Sequence, residues 1–181
     1  MLKKFLNSFS VFQLVIIALM AGLGVATKPI IVPLAHMITG PLYIPGGVIA
    51  GGFYMMWLVM GAGLVKKRGA ATLIAMVQAI MMVSLGIYGT HGIVSFFTYI
   101  IPGLAADFVF VFFSDPTKAI PCFLAGIAAN ISGTFLVNIV FFRLPLIPLI
   151  LSLSSASLSG GLGGLISYSV IKQFEKFDIL D

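Results

Sequence analysis

One carboxylate lies inside an apolar run of this sequence. Asp107 stands in the stretch IIPGLAADFVFVFF, residues 100–113, and is the only acid within a predicted span. A charged carboxylate is costly in an apolar medium unless it is hydrogen-bonded, paired or protonated. We therefore interpret Asp107 first as part of a structural polar network between helices, with Gln78 and Asn130 at similar depth. A direct ligand contact is the second interpretation.

The other residues that could do chemistry do not form a catalytic set. Neither a GxxxxGK[ST] phosphate loop nor an HExxH metal motif occurs. His36 and His91 are isolated, and no histidine follows His91, so serines in the last two spans have no general base. The single cysteine, Cys122, cannot form an intramolecular disulfide. We predict no enzymatic activity, no metal site and no cofactor.

The composition is that of an integral membrane protein. Hydrophobic residues make up 60% of the 181 positions and charged residues 8%, whereas about a quarter of a typical soluble chain is charged. The net charge of +5 does not indicate nucleic acid, because the basic residues stand at the ends of apolar spans. We predict a single membrane domain, residues 1–181, in a lipid bilayer.

Six apolar segments are candidates to cross a bilayer, which takes about 20 helical residues. They are Val11–Thr27, Tyr43–Val65, Ala70–Tyr88, Ile93–Phe113, Ala119–Phe142 and Leu144–Ile171. If both termini are inside, every Lys and Arg except Lys28 and Arg143 falls on the inner side, as the positive-inside rule requires. The sequence therefore predicts an all-α bundle of six transmembrane helices with N- and C-termini in the cytoplasm.

The first outer connection is long and apolar. Residues 28–42, KPIIVPLAHMITGPL, contain Pro29, Pro33 and Pro41. Irregular backbone cannot face lipid, so such a segment must fold over protein or a cavity. We expect a lid; the alternative is a short interfacial stretch.

Small residues recur every four positions in the first span. Ala18, Gly22 and Ala26 share one helix face, and small residues let helices approach closely in a membrane. This pattern favours a face that docks a partner, although packing inside the bundle is the alternative.

Aromatic and polar side chains gather at the outer ends of several spans. They are Tyr43, Tyr88, His91, Phe96, Tyr99 and Asn138. A few hydrogen-bonding groups among rings suit a small flat heterocycle. In the last span, Ser155 with Ser154 and Ser157 could add to a polar pocket, and close helix packing of SLSSASLSGGLGG is the alternative.

Nearly the whole chain resembles the S components, the substrate-binding membrane subunits, of energy-coupling factor (ECF) transporters. GPLYIPGGVIAGGFYMMWLVMGAGLVKKRGAA and YIIPGLAADFVF look most like the branch associated with thiamin and hydroxymethylpyrimidine. The resemblance implies capture of a vitamin or precursor at the outer face of a bacterial plasma membrane. It also implies docking on a transmembrane coupling protein with two ATPases. The family docks through small residues at AxxxA spacing, which Ala18 and Gly22 match with glycine in the second place.

Two further hypotheses remain beside a binding subunit. A stand-alone secondary carrier would need an ion site, for which Asp107 with Gln78 is the candidate. A non-transport membrane scaffold would use the same small-residue faces without a ligand. A membrane enzyme lacks a catalytic constellation.

Overall fold

The computed structural model describes residues 8–42, 44–86 and 95–177, and these form six α-helices. The helices are α1 Val11–Thr39, α2 Gly46–Val65, α3 Ala70–Ser84, α4 Ser95–Val111, α5 Ala119–Val137 and α6 Leu146–Lys176. A 3-10 turn, Gly40–Leu42, follows α1, and a π-helical turn, Asn138–Phe142, extends α5.

Four of the described helices are long and apolar enough to cross a membrane. These are α1, α2, α5 with its π-helical turn, and α6, whereas α3 and α4 are apolar but shorter. The expected all-α, six-helix architecture is confirmed for the described residues. The cytoplasmic position of both termini stays a prediction.

The prediction that residues 28–42 form a loop is wrong, although the segment does lie against a cavity, as expected. α1 continues through Pro29 and Pro33 and ends at Thr39. Each proline removes one backbone donor, so only the carbonyls of Val25 and Pro29 lose their helical partner. Membrane helices tolerate such prolines when neighbouring groups satisfy the freed carbonyls. With 29 residues, α1 is about 43 Å long, longer than the hydrocarbon layer.

Side chains fix where α1 begins and how it joins the bundle. The Ser10 hydroxyl accepts from the Gln13 amide nitrogen at 3.2 Å, and Gln13 Oε1 accepts from the Ser10 amide at 3.0 Å. This reciprocal capping box satisfies two backbone donors that a helix N-terminus leaves free. Gln13 Nε2 also donates to the Val65 carbonyl at 3.3 Å, which ties the start of α1 to the end of α2.

Glycines bring α6 into backbone contact with α5 and α2. A Cβ on Gly126 would lie 2.2 Å from the Gly160 carbonyl oxygen, and one on Gly52 would lie 2.0 Å from the Ser159 carbonyl oxygen. Such contacts replace the hydrophobic effect as a source of helix association in lipid. The glycines of SLSSASLSGGLGG therefore serve close packing.

Asp107 and Asn130 each connect helices. The Asp107 carboxylate, on α4, accepts from the Thr72 amide at 2.7 Å, the Thr72 hydroxyl at 2.5 Å and the Ala71 amide at 3.3 Å. It therefore satisfies donors at the N-terminus of α3, where the helix dipole favours a negative charge. Asn130 Nδ2 donates to the Val48 and Ala156 carbonyls at 3.0 and 2.9 Å, which links α5 to α2 and α6.

Candidate substrate-binding site

A cavity of about 630 Å³ lies between the six helices, beside the C-terminal half of α1 and the N-terminus of α2. Its volume falls in the range of small-molecule sites, about 300–1,000 Å³. The polar side chains in its wall, among the described residues, are Lys28, His36, Tyr54, Gln78, Thr98, Tyr99, Thr134, Asn138 and Ser152. Every helix contributes to this wall, so the cavity exists only once the bundle has assembled.

Lys28 and two tyrosines form the chemical centre of the cavity. Lys28 Nζ donates to the Tyr99 hydroxyl at 2.6 Å. The same ammonium lies 4.0 Å from the centroid of the Tyr99 ring and 5.0 Å from that of Tyr54. Both distances are within the reach of cation–π attraction, about 6 Å. The three side chains come from α1, α2 and α4 and hold one another in place.

Hydrogen bonds to α1 and α2 fix the surroundings of this centre. The Tyr54 hydroxyl donates to the Gly47 carbonyl at 2.9 Å. Trp57 Nε1 donates to the Thr27 hydroxyl at 3.0 Å, and that hydroxyl donates to the Leu23 carbonyl at 2.6 Å. Trp57 therefore contacts the residue preceding Lys28, and its fluorescence should respond to events in the cavity.

Two buried polar atoms in the wall have no hydrogen-bond partner among the described residues. They are Gln78 Nε2 and Ser152 Oγ, whose residues are 5% and 1% exposed. A buried donor without a partner costs roughly 1–3 kcal/mol. Both residues line the cavity, so a rotation of either side chain would present its polar atom to a bound molecule.

The connection between α1 and α2 lies against the cavity. The Gly46 amide faces His36 Nδ1 at 3.4 Å, and the Thr39 hydroxyl donates to the Ile44 carbonyl at 2.8 Å. A Cβ on Gly46 would lie 2.5 Å from the His36 backbone nitrogen. Glycine is therefore needed for α2 to start this close to α1.

The structure brings together some of the residues predicted to bind substrate. Tyr99 and Asn138 line the cavity, and Asn138 Oδ1 also accepts from the Leu144 amide at 3.0 Å. Phe96 is not in the lining; its ring packs edge-on against Phe97 at 5.9 Å. Ser155 lines a separate groove between α2 and α6. The predicted residues Tyr43, Tyr88 and His91 lie outside the described part of the chain.

The residues of the predicted polar network do not lie together, and the predicted docking face lies on the outside of α1. Gln78 belongs to the cavity wall, whereas Asp107 and Asn130 make the separate inter-helix bonds described above. Ala18 and Ala26 are exposed, Gly22 is half-buried, and a Cβ on Gly22 would meet nothing within 4 Å. The stripe therefore faces away from the described bundle.

Sequence reasoning missed Lys28, Tyr54 and Ser152 as cavity residues. Lys28 was counted only for orientation, although a lysine between two apolar stretches is itself unusual. The signal at Tyr54 was a tyrosine far from either end of its span, where the aromatic belt does not account for it. Nothing in the sequence separates Ser152 from the other serines of α6.

The fold is that of a known class of membrane protein. It is similar to a solved structure described as an S component of an ECF transporter, with a TM-score of 0.78. The superposition covers 95% of this chain and 88% of that chain at 20% sequence identity, so the likeness establishes the fold.

Family membership follows from a sequence match. The chain belongs to the family described as the permease component of an ABC-type cobalt transport system, whose model matches residues 8–132. No curated protein matches the sequence. The family and the apolar helices together support a multi-pass membrane protein of a transport system.

Proposed function

We propose that this chain is the substrate-binding S component of an ECF-type importer in a bacterial plasma membrane. It captures thiamin or its hydroxymethylpyrimidine precursor at the outer face. It then delivers the cargo with a separate coupling protein and two ATPases, and it has no catalytic activity of its own. The fold and the family support the transport role, and the cavity supports the capture of a small molecule.

The single observation that carries the proposal is the cavity between the helices, whose mostly apolar wall carries a few polar groups. Tyr54 and Tyr99 line the same cavity as Gln78 and Ser152, each of which carries a buried polar atom without a partner among the described residues. Rings bind the face of a flat heterocycle, and a few placed polar groups fix its orientation. A pyrimidine offers both a face for stacking and ring nitrogens that accept hydrogen bonds.

The family description names cobalt, and the chemistry of the cavity favours an organic cargo over a metal ion. Cobalt(II) is held by imidazole, thiolate or carboxylate ligands. Within residues 8–42, 44–86 and 95–177, no group of three or more such side chains is placed to hold a metal ion. His36 shares the cavity with Lys28, whose ammonium repels a divalent cation.

Uptake into proteoliposomes tests the proposal. The chain is reconstituted alone and together with the coupling protein and ATPases of its own organism, and entry of labelled thiamin and hydroxymethylpyrimidine is followed. We expect ATP-dependent uptake only with the complete module. Trp57 fluorescence of the chain alone should still change on adding cargo, because binding precedes delivery.

The alternatives give different results. Uptake by the chain alone would identify a secondary carrier. If the chain neither binds nor takes up either compound, the proposed role is contradicted and a membrane scaffold is favoured.

A further inference from the structure

Lys28 brings positive charge into a cavity whose described lining contains no Asp or Glu. An ammonium has three donors. One hydrogen bond goes to the Tyr99 hydroxyl at 2.6 Å, and the rings of Tyr99 and Tyr54 lie beside the charge. Aromatic faces compensate a cation only in part. The cavity therefore has an uncompensated positive character at Lys28.

Two other groups in the same wall favour the same kind of ligand. Gln78 Nε2 is a donor, and Ser152 Oγ can donate, and neither has a partner among the described residues. Together with Lys28, three residues that carry donor groups, one each on α1, α3 and α6, line one cavity. Such a set is complementary to a molecule rich in acceptors, and it opposes a molecule that carries positive charge.

We propose that Lys28 is the specificity-determining residue of this cavity and that it discriminates against cationic cargo. Hydroxymethylpyrimidine, which is uncharged above the pKa of its ring, is then bound in preference to thiamin, whose thiazolium carries a permanent positive charge. This inference rests on the proposed function and narrows it from two related compounds to one.

The size of the expected discrimination follows from electrostatics. We take the two charges, of the thiazolium and of the Lys28 ammonium, to be about 8 Å apart, a separation comparable to the width of a cavity of about 630 Å³. At the effective dielectric constant of protein sites, about 20, repulsion over that distance weakens binding by roughly tenfold or more. Removing the charge of Lys28 should therefore strengthen the binding of thiamin. It should not strengthen the binding of an uncharged pyrimidine in the same way.

Calorimetric titration of the full-length chain in detergent tests the inference. Dissociation constants for hydroxymethylpyrimidine and thiamin are measured at a pH where the pyrimidine is uncharged, for the wild type, Lys28→Gln and Lys28→Met. Lys172→Met is the matched control. Lys172 also faces a tyrosine, with Nζ 3.4 Å from the Tyr168 hydroxyl and 5.8 Å from the ring centroid. Lys172 is exposed near the C-terminal end of α6, and neither residue of that pair lines the cavity.

In the wild type we expect the pyrimidine to bind at least tenfold more tightly than thiamin. In both Lys28 variants, the dissociation constant of thiamin divided by that of the pyrimidine should fall by about tenfold. In Lys172→Met this ratio should stay at the wild-type value. Because the ratio compares two ligands on one protein, a general loss of stability does not produce this result.

Two outcomes would overturn the inference while leaving the proposed function in place. The first is tighter binding of thiamin than of the pyrimidine by the wild type. The second is a ratio that stays within twofold of the wild-type ratio in a Lys28 variant that folds and binds. If the wild type binds neither compound, the proposed function itself is contradicted.

Discussion

At the residue scale, the cavity depends on side chains that meet from distant parts of the sequence. Lys28 and Tyr99 are 71 positions apart, and their hydrogen bond joins α1 to α4. Tyr99 was predicted from its place among aromatic residues at one end of the bundle. Lys28 was not, because its environment depends on how far α1 continues as a helix and on which helices pack beside it.

Tyr99→Ala tests the role of the aromatic wall. We expect cargo binding to weaken by about 1–3 kcal/mol, the range measured for stacking of a nucleobase on an aromatic ring. The measurement is calorimetry on the purified variant. Phe96→Ala is the matched control on the same helix, because Phe96 packs against Phe97 and is not part of the cavity lining. Equal losses in both variants would show that the stacking site lies elsewhere.

Gly24→Ala tests the position of Gln78. A Cβ on Gly24 would lie 2.1 Å from Gln78 Nε2. The end of a glutamine side chain can move aside at little cost, so we expect the melting temperature to change little. Cargo binding should weaken by fivefold or more, because the amide leaves its place in the wall.

Gly22→Ala is the control for that substitution. The added Cβ meets nothing within 4 Å, so binding should be unchanged. Stability should rise by about 0.5–1 kcal/mol, because alanine is favoured over glycine inside a helix. Unchanged binding in Gly24→Ala would show that Gln78 does not contact the cargo.

At the element scale, the apolar segments predicted six helices and most of their positions. The prediction failed at α1, where prolines and a lysine suggested a loop. The length of an apolar segment does not show whether a helix continues through prolines. In α1 the two prolines, four residues apart, remove only two hydrogen bonds. It also does not show which helices touch at glycines, because Gly126 and Gly160 are recognised as contacts only when α5 and α6 cross.

Asp107→Asn tests the link between α3 and α4. The asparagine amide keeps one acceptor oxygen, but it lacks the negative charge and the second acceptor oxygen of the carboxylate. The N-terminus of α3 therefore loses part of its cap. We expect about 1 kcal/mol of destabilisation, within the range for loss of a helix N-cap, seen as a lower melting temperature in detergent. Cargo affinity should stay within twofold.

Thr72→Val is the companion variant, since it removes the hydroxyl that Asp107 accepts from at 2.5 Å. The two substitutions should be non-additive in a double-mutant cycle, because they act on one interaction. A large loss of cargo affinity in Asp107→Asn would instead make this carboxylate a ligand contact.

At the scale of the whole molecule, one outward face carries the proposed contact with a partner. The α1 stripe of Ala18, Gly22 and Ala26 does not pack against the described bundle, which leaves it free for lipid or for the coupling protein. We expect Gly22→Leu to block co-purification with the coupling protein while leaving cargo binding unchanged, because bulk on the stripe separates the two helices.

Leu158→Phe is the control for the docking variant. Leu158 is 72% exposed on α6, so this change adds bulk to a different outward face. It should leave complex formation intact. If Gly22→Leu still assembles as well as Leu158→Phe, the docking face is not on this side of α1.

On the proposed function, the isolated chain captures a small heterocycle in its cavity. Calorimetric titration of the purified wild-type chain with a panel of water-soluble vitamins and precursors tests it most directly, with thiamin and hydroxymethylpyrimidine first. We expect saturable binding of one molecule per chain for a member of this pair, without any partner subunit or nucleotide. No binding of any compound, under conditions where a control S component binds its own vitamin, would contradict it.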